Sequence, residues 1–163
     1  MFFLNAKRYT LNASPGFTLI ELLVALAIVA IVSVISVSSF SSVNSEEALS
    51  LEAGKIVSLL SKAQAFTISA KGGTAYGVHF EERKVVLFSG TTYSPASPEN
   101  QIQILNRAVK ISSVSLSGGG SEVVFQKLSG GTLQSGIVTL SLVNNVNAST
   151  TVTIGATGVA YIK

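Results

Sequence analysis

The chain has 163 residues, room for one ordinary domain plus an anchoring segment but cramped for a two-domain soluble enzyme. Its 11 Lys and Arg against 8 acids give +3; Lys7 and Arg8 precede a hydrophobic run, so the remainder, 9 minus 8, carries only +1 and makes no strong field for a polyanion. All the acids are Glu, Asp and Cys are absent, and the only His is His79, which leaves little for catalysis and excludes both a disulfide framework and a thiolate metal site.

From Phe17 to Phe40 the chain reads FTLIELLVALAIVAIVSVISVSSF. As a helix this is about 36 Å long at roughly 1.5 Å per residue, enough to cross a bilayer core of about 30 Å. Between Leu22 and Val37 there is no charge, Pro or Gly, and apolar residues go all the way round. Such a helix belongs in lipid or fully enclosed by protein. Lys7 and Arg8 stand on its N-terminal side without a matching pair directly after it, which puts residues 1 to 16 in the cytoplasm and the C-terminal part outside.

Two features go beyond a generic anchor. At Ser14-Pro15-Gly16-Phe17, small and helix-breaking residues stop immediately before the apolar run, which reads as a protease site. A secretory signal peptide has its site after the hydrophobic segment and loses it; here the helix is kept. The second feature is Glu21, a carboxylate near the start of a lipid-length helix, where an ionised group costs about 2.5 to 3.5 kcal/mol at the centre and less near the ends. If the chain is cut between Gly16 and Phe17, the new α-amine of Phe17 lies one helical turn from Glu21. In a packed bundle either charge can neutralise a neighbour's, and Glu21 then sets the axial register between subunits. The plainer alternatives are a snorkelling interfacial carboxylate at Glu21 and an ordinary helix-start breaker at Gly16.

The string Gly16-Phe17-Thr18-Leu19-Ile20-Glu21-Leu22-Leu23-Val24 resembles the type IV prepilin processing motif. The resemblance implies that a prepilin peptidase cuts after Gly16, that the new N-terminal Phe17 is methylated, and that Glu21 guides assembly. It further implies an α+β, pilin-like fold: a long N-terminal helix packed on an antiparallel β-rich head, the helices forming the core of a pilus or secretion pseudopilus. The implied partners are the prepilin peptidase, other pilins or pseudopilins met through the N-terminal helix, and the inner membrane before assembly. The anchor has no Pro or Gly and the C-terminal region has no cysteine pair, both departures from major pilins. A minor pilin or pseudopilin fits those absences better.

After Phe40 the sequence turns to Ser, and Ser45-Glu46-Glu47 restarts or continues the helix with acids near its beginning. Leu49, Ala53, Ile56, Leu60 and Ala63 follow at spacings of three and four, flanked by Val57 and Phe66, while Glu47, Ser50, Ser58 and Lys62 lie elsewhere. This amphipathic helix should stop at Lys71-Gly72-Gly73. Beyond it the period changes to 2. Tyr76, Val78 and Phe80 form one face of a strand and Gly77, His79 and Glu81 the other, with a charged turn at Glu81 to Lys84 and a returning strand at Val85 to Phe88. A loop holding Pro95 and Pro98 precedes strands expected at 102–105, 109–116, 123–125, 137–143, 151–154 and 159–162, with turns at Gly118 to Gly120, Gly130-Gly131 and Asn144 to Ser149.

The expected organisation is therefore a leader over 1–16, a transmembrane and assembly helix over 17–40, its amphipathic continuation over 41–72, and a β-rich head over 73–163. The layout over 74–163, with the hairpin YGVHFEERKVVLF and a closing Thr-Ile-Gly stretch, is similar to the H-type pseudopilin family, GspH/FimT.

No residue of the head is assigned chemistry, and no cofactor is expected. His79 lacks a second His, Cys or Asp for a metal site and reads as an exposed strand residue. Glu81 and Glu82 are adjacent and point apart in a strand, so they read as a solvated turn and not as an acid/base pair. Gly118-Gly119-Gly120 is followed by Ser121 and Glu122, which fails the phosphate-loop pattern. Asn147-Ala148-Ser149 reads as a turn. Three functions compete: a structural subunit of a type II secretion pseudopilus or type IV pilus, not an enzyme; an exported β-domain cut near residue 40; and a DNA-binding minor pilin of a competence pilus. The last would use Lys110, Lys127, Lys163, Arg83, Lys84 and Arg107, which are scattered in sequence.

Overall fold

A computed structural model describes the backbone of residues 16–163, and the side chains of 16–33 and 46–163. The expected leader, with Lys7, Arg8 and Pro15, lies outside the described residues apart from Gly16, as do the side chains at 34–45. The chain divides into two compact units, Met1–Phe40 and Ser41–Lys163. A single helix, α1, runs Leu19–Ile68 over 50 residues. Among the described residues no helix is long and apolar enough to cross a membrane; the apolar stretch has described side chains only from 17 to 33.

In the second unit the expected stripe of α1 is what the core uses. Leu49, Ala53, Ile56, Leu60 and Ala63 are all buried, while Glu47, Ser50, Ser58 and Lys62 are exposed. The helix ends at Ile68, a few residues before the expected stop. Ala70 takes the left-handed conformation (φ 50°, ψ 33°), and a short 3-10 turn fills Lys71–Gly73. The buried Thr67 fastens this end: its hydroxyl donates to the Ala63 carbonyl at 2.9 Å and accepts the Tyr76 N–H at 2.9 Å. The first strand therefore starts bonded to the last turn of the helix.

Eight strands follow: β1 (Tyr76–Glu81), β2 (Lys84–Ser89), β3 (Gln101–Ile104), β4 (Val109–Leu116), β5 (Glu122–Val124), β6 (Gly136–Leu142), β7 (Ser149–Ile154) and β8 (Ala160–Ile162). Each overlaps an expected strand, with boundaries shifted by a residue or two. All the pairings are antiparallel, in two four-stranded sheets ordered β3-β2-β1-β5 and β4-β6-β7-β8. One apolar core joins the α1 stripe to Val78, Phe80, Val85 and Leu87 of the first sheet and Val138, Leu140, Val152 and Ile154 of the second. The architecture is the expected α+β helix with a β-rich head.

The first sheet departs from simple alternation. Val86 and Phe88 point away from the α1 side yet are buried, because the loop from 90 to 100 folds back over that face. Phe88 also needs the glycine opposite it: a Cβ at Gly77 would meet Phe88 Cζ at 2.5 Å and the Val123 carbonyl at 2.8 Å.

Candidate assembly site at the start of the first helix

Gly16, Phe17 and Glu21 lie on one short, exposed stretch. Among the described residues a Cβ added at Gly16 would meet nothing within 4 Å, so their packing does not demand glycine there. Phe17, 87% exposed, precedes the helix. Thr18 caps it: its Oγ1 accepts the Glu21 N–H at 3.2 Å, and its carbonyl accepts the Leu22 N–H at 3.2 Å. The side-chain bond satisfies one of the four N–H groups a helix start leaves unpaired, and the threonine-x-x-glutamate spacing is that of a capping box. Glu21 thus stands in the first turn, where backbone N–H groups favour a negative charge. Every described side chain from 17 to 33 is exposed, including Leu19, Ile20, Ile28 and Val29 on different sides of the helix. Such a surface is unfavourable in water and suits lipid or neighbouring helices.

The head's singled-out residues fall into place differently from one another. His79 is on the outward face as expected but is not an ordinary exposed residue: its side chain is only 19% exposed. Tyr93 of the returning loop stacks on it with ring centroids 4.0 Å apart and 14° between planes. The Tyr93 N–H donates to Glu122 Oε2 at 3.3 Å, and the same oxygen lies 3.7 Å from His79 Nδ1. The unbroken run Val85-Val86-Leu87-Phe88 is the signal for this cover, since a strand buried on both faces does not alternate. Glu81 and Glu82 do diverge, Glu81 to Lys84 at 3.1 Å and Glu82 to Lys110 at 3.9 Å. Gly118, Gly119 and Gly120 all have positive φ in a turn.

Four of the six candidate DNA-contacting side chains are already engaged. Arg83 donates to the carbonyls of Val109 and Arg107 at 3.2 and 3.0 Å, and Lys127 to the Gly73 carbonyl at 2.6 Å. Lys84 and Lys110 face the glutamates just named. Among the described residues no group of three or more His, Cys, Asp or Glu is placed to hold a metal ion.

Residues 11–37 match the prokaryotic N-terminal methylation motif, an interval that contains Gly16, Phe17 and Glu21. No curated protein matches the chain. Among solved structures it is similar to the type IV minor pilin FimU of Pseudomonas aeruginosa, with a TM-score of 0.53 at 10% identity, over 71% of this chain and 92% of that one. At that identity the likeness concerns the fold. The chain thus carries a prokaryotic N-terminal methylation motif over 11–37 and has a pilin-like fold.

Proposed function

We propose that the chain is a minor pilin or pseudopilin made as a precursor, cut by a prepilin peptidase between Gly16 and Phe17 and methylated on the Phe17 amine. Before assembly it is a single-pass protein of the cytoplasmic (inner) membrane, held by residues 17 to 40 with the head outside. It then joins a type II secretion pseudopilus or a type IV pilus through its N-terminal helix, where Glu21 pairs with an amine at the start of a neighbouring helix. The observation that carries this reading is the methylation motif over 11–37 on a chain whose remaining residues have a minor-pilin fold. The helix start supports it: among the described residues nothing crowds Gly16, Phe17 is 87% exposed, and the Glu21 backbone N–H is capped by Thr18 one turn on. Strand layout and the hairpin sequence favour the H-type, GspH/FimT, branch. DNA binding is the weaker reading, since most of the basic side chains it needs are committed within the head.

The test is intact mass and N-terminal sequencing of membrane-extracted protein co-expressed with a prepilin peptidase, beside a Gly16→Ala variant. A mature chain beginning at Phe17, heavier by one methyl-for-hydrogen exchange and absent in the variant, is expected. A chain beginning near Phe40, or an uncut chain, overturns the reading.

A further inference from the structure

The chain crosses from β4 in the second sheet to β5 in the first over the turn Ser117 to Ser121, and beside that turn lies an open cleft of about 390 Å³. The volume falls within the range of small-molecule sites, roughly 300 to 1,000 Å³, but such sites are mostly apolar. This one is lined by hydrogen-bonding side chains and bare backbone. Gly118, Gly119 and Gly120 form one wall, all with positive φ, and a Cβ on any of them would meet nothing within 4 Å. Among the described residues no Lys, Arg or apolar side chain lines the cleft.

The groups that face it are held by bonds made behind them. Gln134 Oε1 accepts from the Val124 N–H at 3.3 Å and from the Thr132 hydroxyl at 3.1 Å, which fixes the amide and leaves its NH2 as the free end. Glu122 Oε2 takes the Tyr93 N–H, and Oε1 is left over. His79 Nδ1 is buried without a hydrogen bond, 3.7 Å from that same Oε2. The carboxylate favours the tautomer with its proton on Nδ1, so the opposite edge of the ring presents Nε2 as an acceptor. The Ser121 hydroxyl, which can give or accept, has no partner among the described residues.

Free donors and free acceptors therefore share one cleft, and that mixture selects the ligand. A phosphate or carboxylate would find no cation and would face the Glu122 charge. An ammonium would satisfy Glu122 but, having no acceptor, would leave the Gln134 amide unpaired. A metal ion would meet one imidazole and one carboxylate, and among the described residues no third His, Cys, Asp or Glu joins them. An apolar molecule would strand every polar group in the wall. A hydroxyl both gives and accepts, so a molecule bearing several of them answers both kinds at once. We infer that this cleft binds a neutral saccharide through His79, Ser121, Glu122 and Gln134, with the sugar lying against the bare glycine turn. The site is separate from the helix start that carries the filament role.

His79 is the only histidine, so its imidazole Cε1–H gives a single magnetic-resonance signal that reports on the cleft. The full chain is held at constant pH in a detergent without a sugar headgroup, and glucose, galactose and N-acetylglucosamine are titrated separately into the tens of millimolar. At least one sugar should move the signal saturably, while inorganic phosphate and methylammonium at the same concentrations leave it in place. Ser121→Ala removes no bond within the described protein, and Glu122→Gln keeps an acceptor for the Tyr93 N–H; each should weaken the sugar response several-fold. Ser58→Ala, on the exposed face of α1, should titrate as wild type. If Glu122→Gln disturbs the signal before any sugar is added, Ser121→Ala decides. No saturable shift with any of the three sugars overturns the proposal. So does an equal response to phosphate or methylammonium, or a sugar response that the cleft variants leave unchanged.

Discussion

The Thr18 hydroxyl oxygen lies 3.2 Å from the Glu21 backbone nitrogen and accepts its hydrogen bond, so the carboxylate of the apolar helix is the third residue of α1, held in its first turn by a cap. A cut after Gly16 would leave only Phe17 before that cap. The new amine, the capping hydroxyl and the carboxylate would then occupy five consecutive residues, and the cap would limit how far charge and amine can wander apart.

Processing and assembly are therefore separable by mutation. Glu21→Gln keeps the side-chain shape and the cap but removes the charge, so the chain should still be cut at Gly16 while its recovery in sheared filaments falls several-fold relative to membrane-bound protein. Loss of cutting in Glu21→Gln would mean that the carboxylate serves the peptidase.

The cap itself predicts a graded pair. Thr18→Ala removes the acceptor and costs about 1 kcal/mol of local helix stability, whereas Thr18→Ser keeps it. Hydrogen exchange at the Glu21 and Leu22 amides of the full chain in detergent should quicken in the alanine variant and stay near wild type in the serine variant. Equal exchange in all three proteins would dismiss the cap.

Two glycines of equal prominence in sequence should behave in opposite ways. Gly77→Ala drives a methyl against the Phe88 ring and the Val123 carbonyl, an overpacking that costs about 1 to 3 kcal/mol. The head's thermal midpoint should drop by several degrees. Gly16→Ala meets no described residue within 4 Å and should leave that midpoint unchanged while blocking maturation. A stable Gly77→Ala head would show that the Phe88 ring has room to move.

Much of this architecture is legible from periodicity. The stripe Leu49, Ala53, Ile56, Leu60, Ala63 gives both the helix and its buried face because spacings of three and four permit little else, and glycine clusters mark turns because those positions take positive φ. The cover over His79 is legible only in part: the unbroken run Val85 to Phe88 signals a second covered face but not what covers it. Alternation reports one covered face, but what covers the second face is a loop whose anchor, Tyr93, is fixed by contacts to Glu122 and His79 far off in sequence. Edge strands are hidden likewise: sequence locates β3 and β8 within a residue or two, but only pairing shows that each lies at the end of a sheet. At the helix start the motif residues are fully visible in sequence, while the bond from the Glu21 N–H to Thr18 needs coordinates.

The amphipathic half of α1 should tolerate change by face. Leu60→Ala, at a fully buried position in the common core, should cost about 2 to 5 kcal/mol by leaving a cavity. Leu51→Ala, on the exposed side of the same helix, should stay within about 0.5 kcal/mol in the isolated protein. Denaturant midpoints decide it. A large loss at Leu51 would mean that this face is covered.

The Tyr93 cover yields the sharpest contrast, because its contributions come from different atoms. The ring stacks on His79 at 4.0 Å and lies 5.6 Å from Phe88, while the hydroxyl reaches Glu81 only at 3.5 Å, the long limit of a hydrogen bond. The bond to Glu122 comes from the backbone N–H and survives any side chain but proline. Tyr93→Phe should therefore be neutral within about 0.5 kcal/mol, whereas Tyr93→Ala, at a half-buried position, uncovers the imidazole and part of the apolar face beneath and should cost about 1 to 3 kcal/mol. Since His79 is the only histidine, modification by an imidazole-acylating reagent reports on one site. Its rate should rise several-fold in Tyr93→Ala and not in Tyr93→Phe. If the phenylalanine variant exposes His79 as fully as the alanine variant does, the cover is held by the hydroxyl and not by the ring.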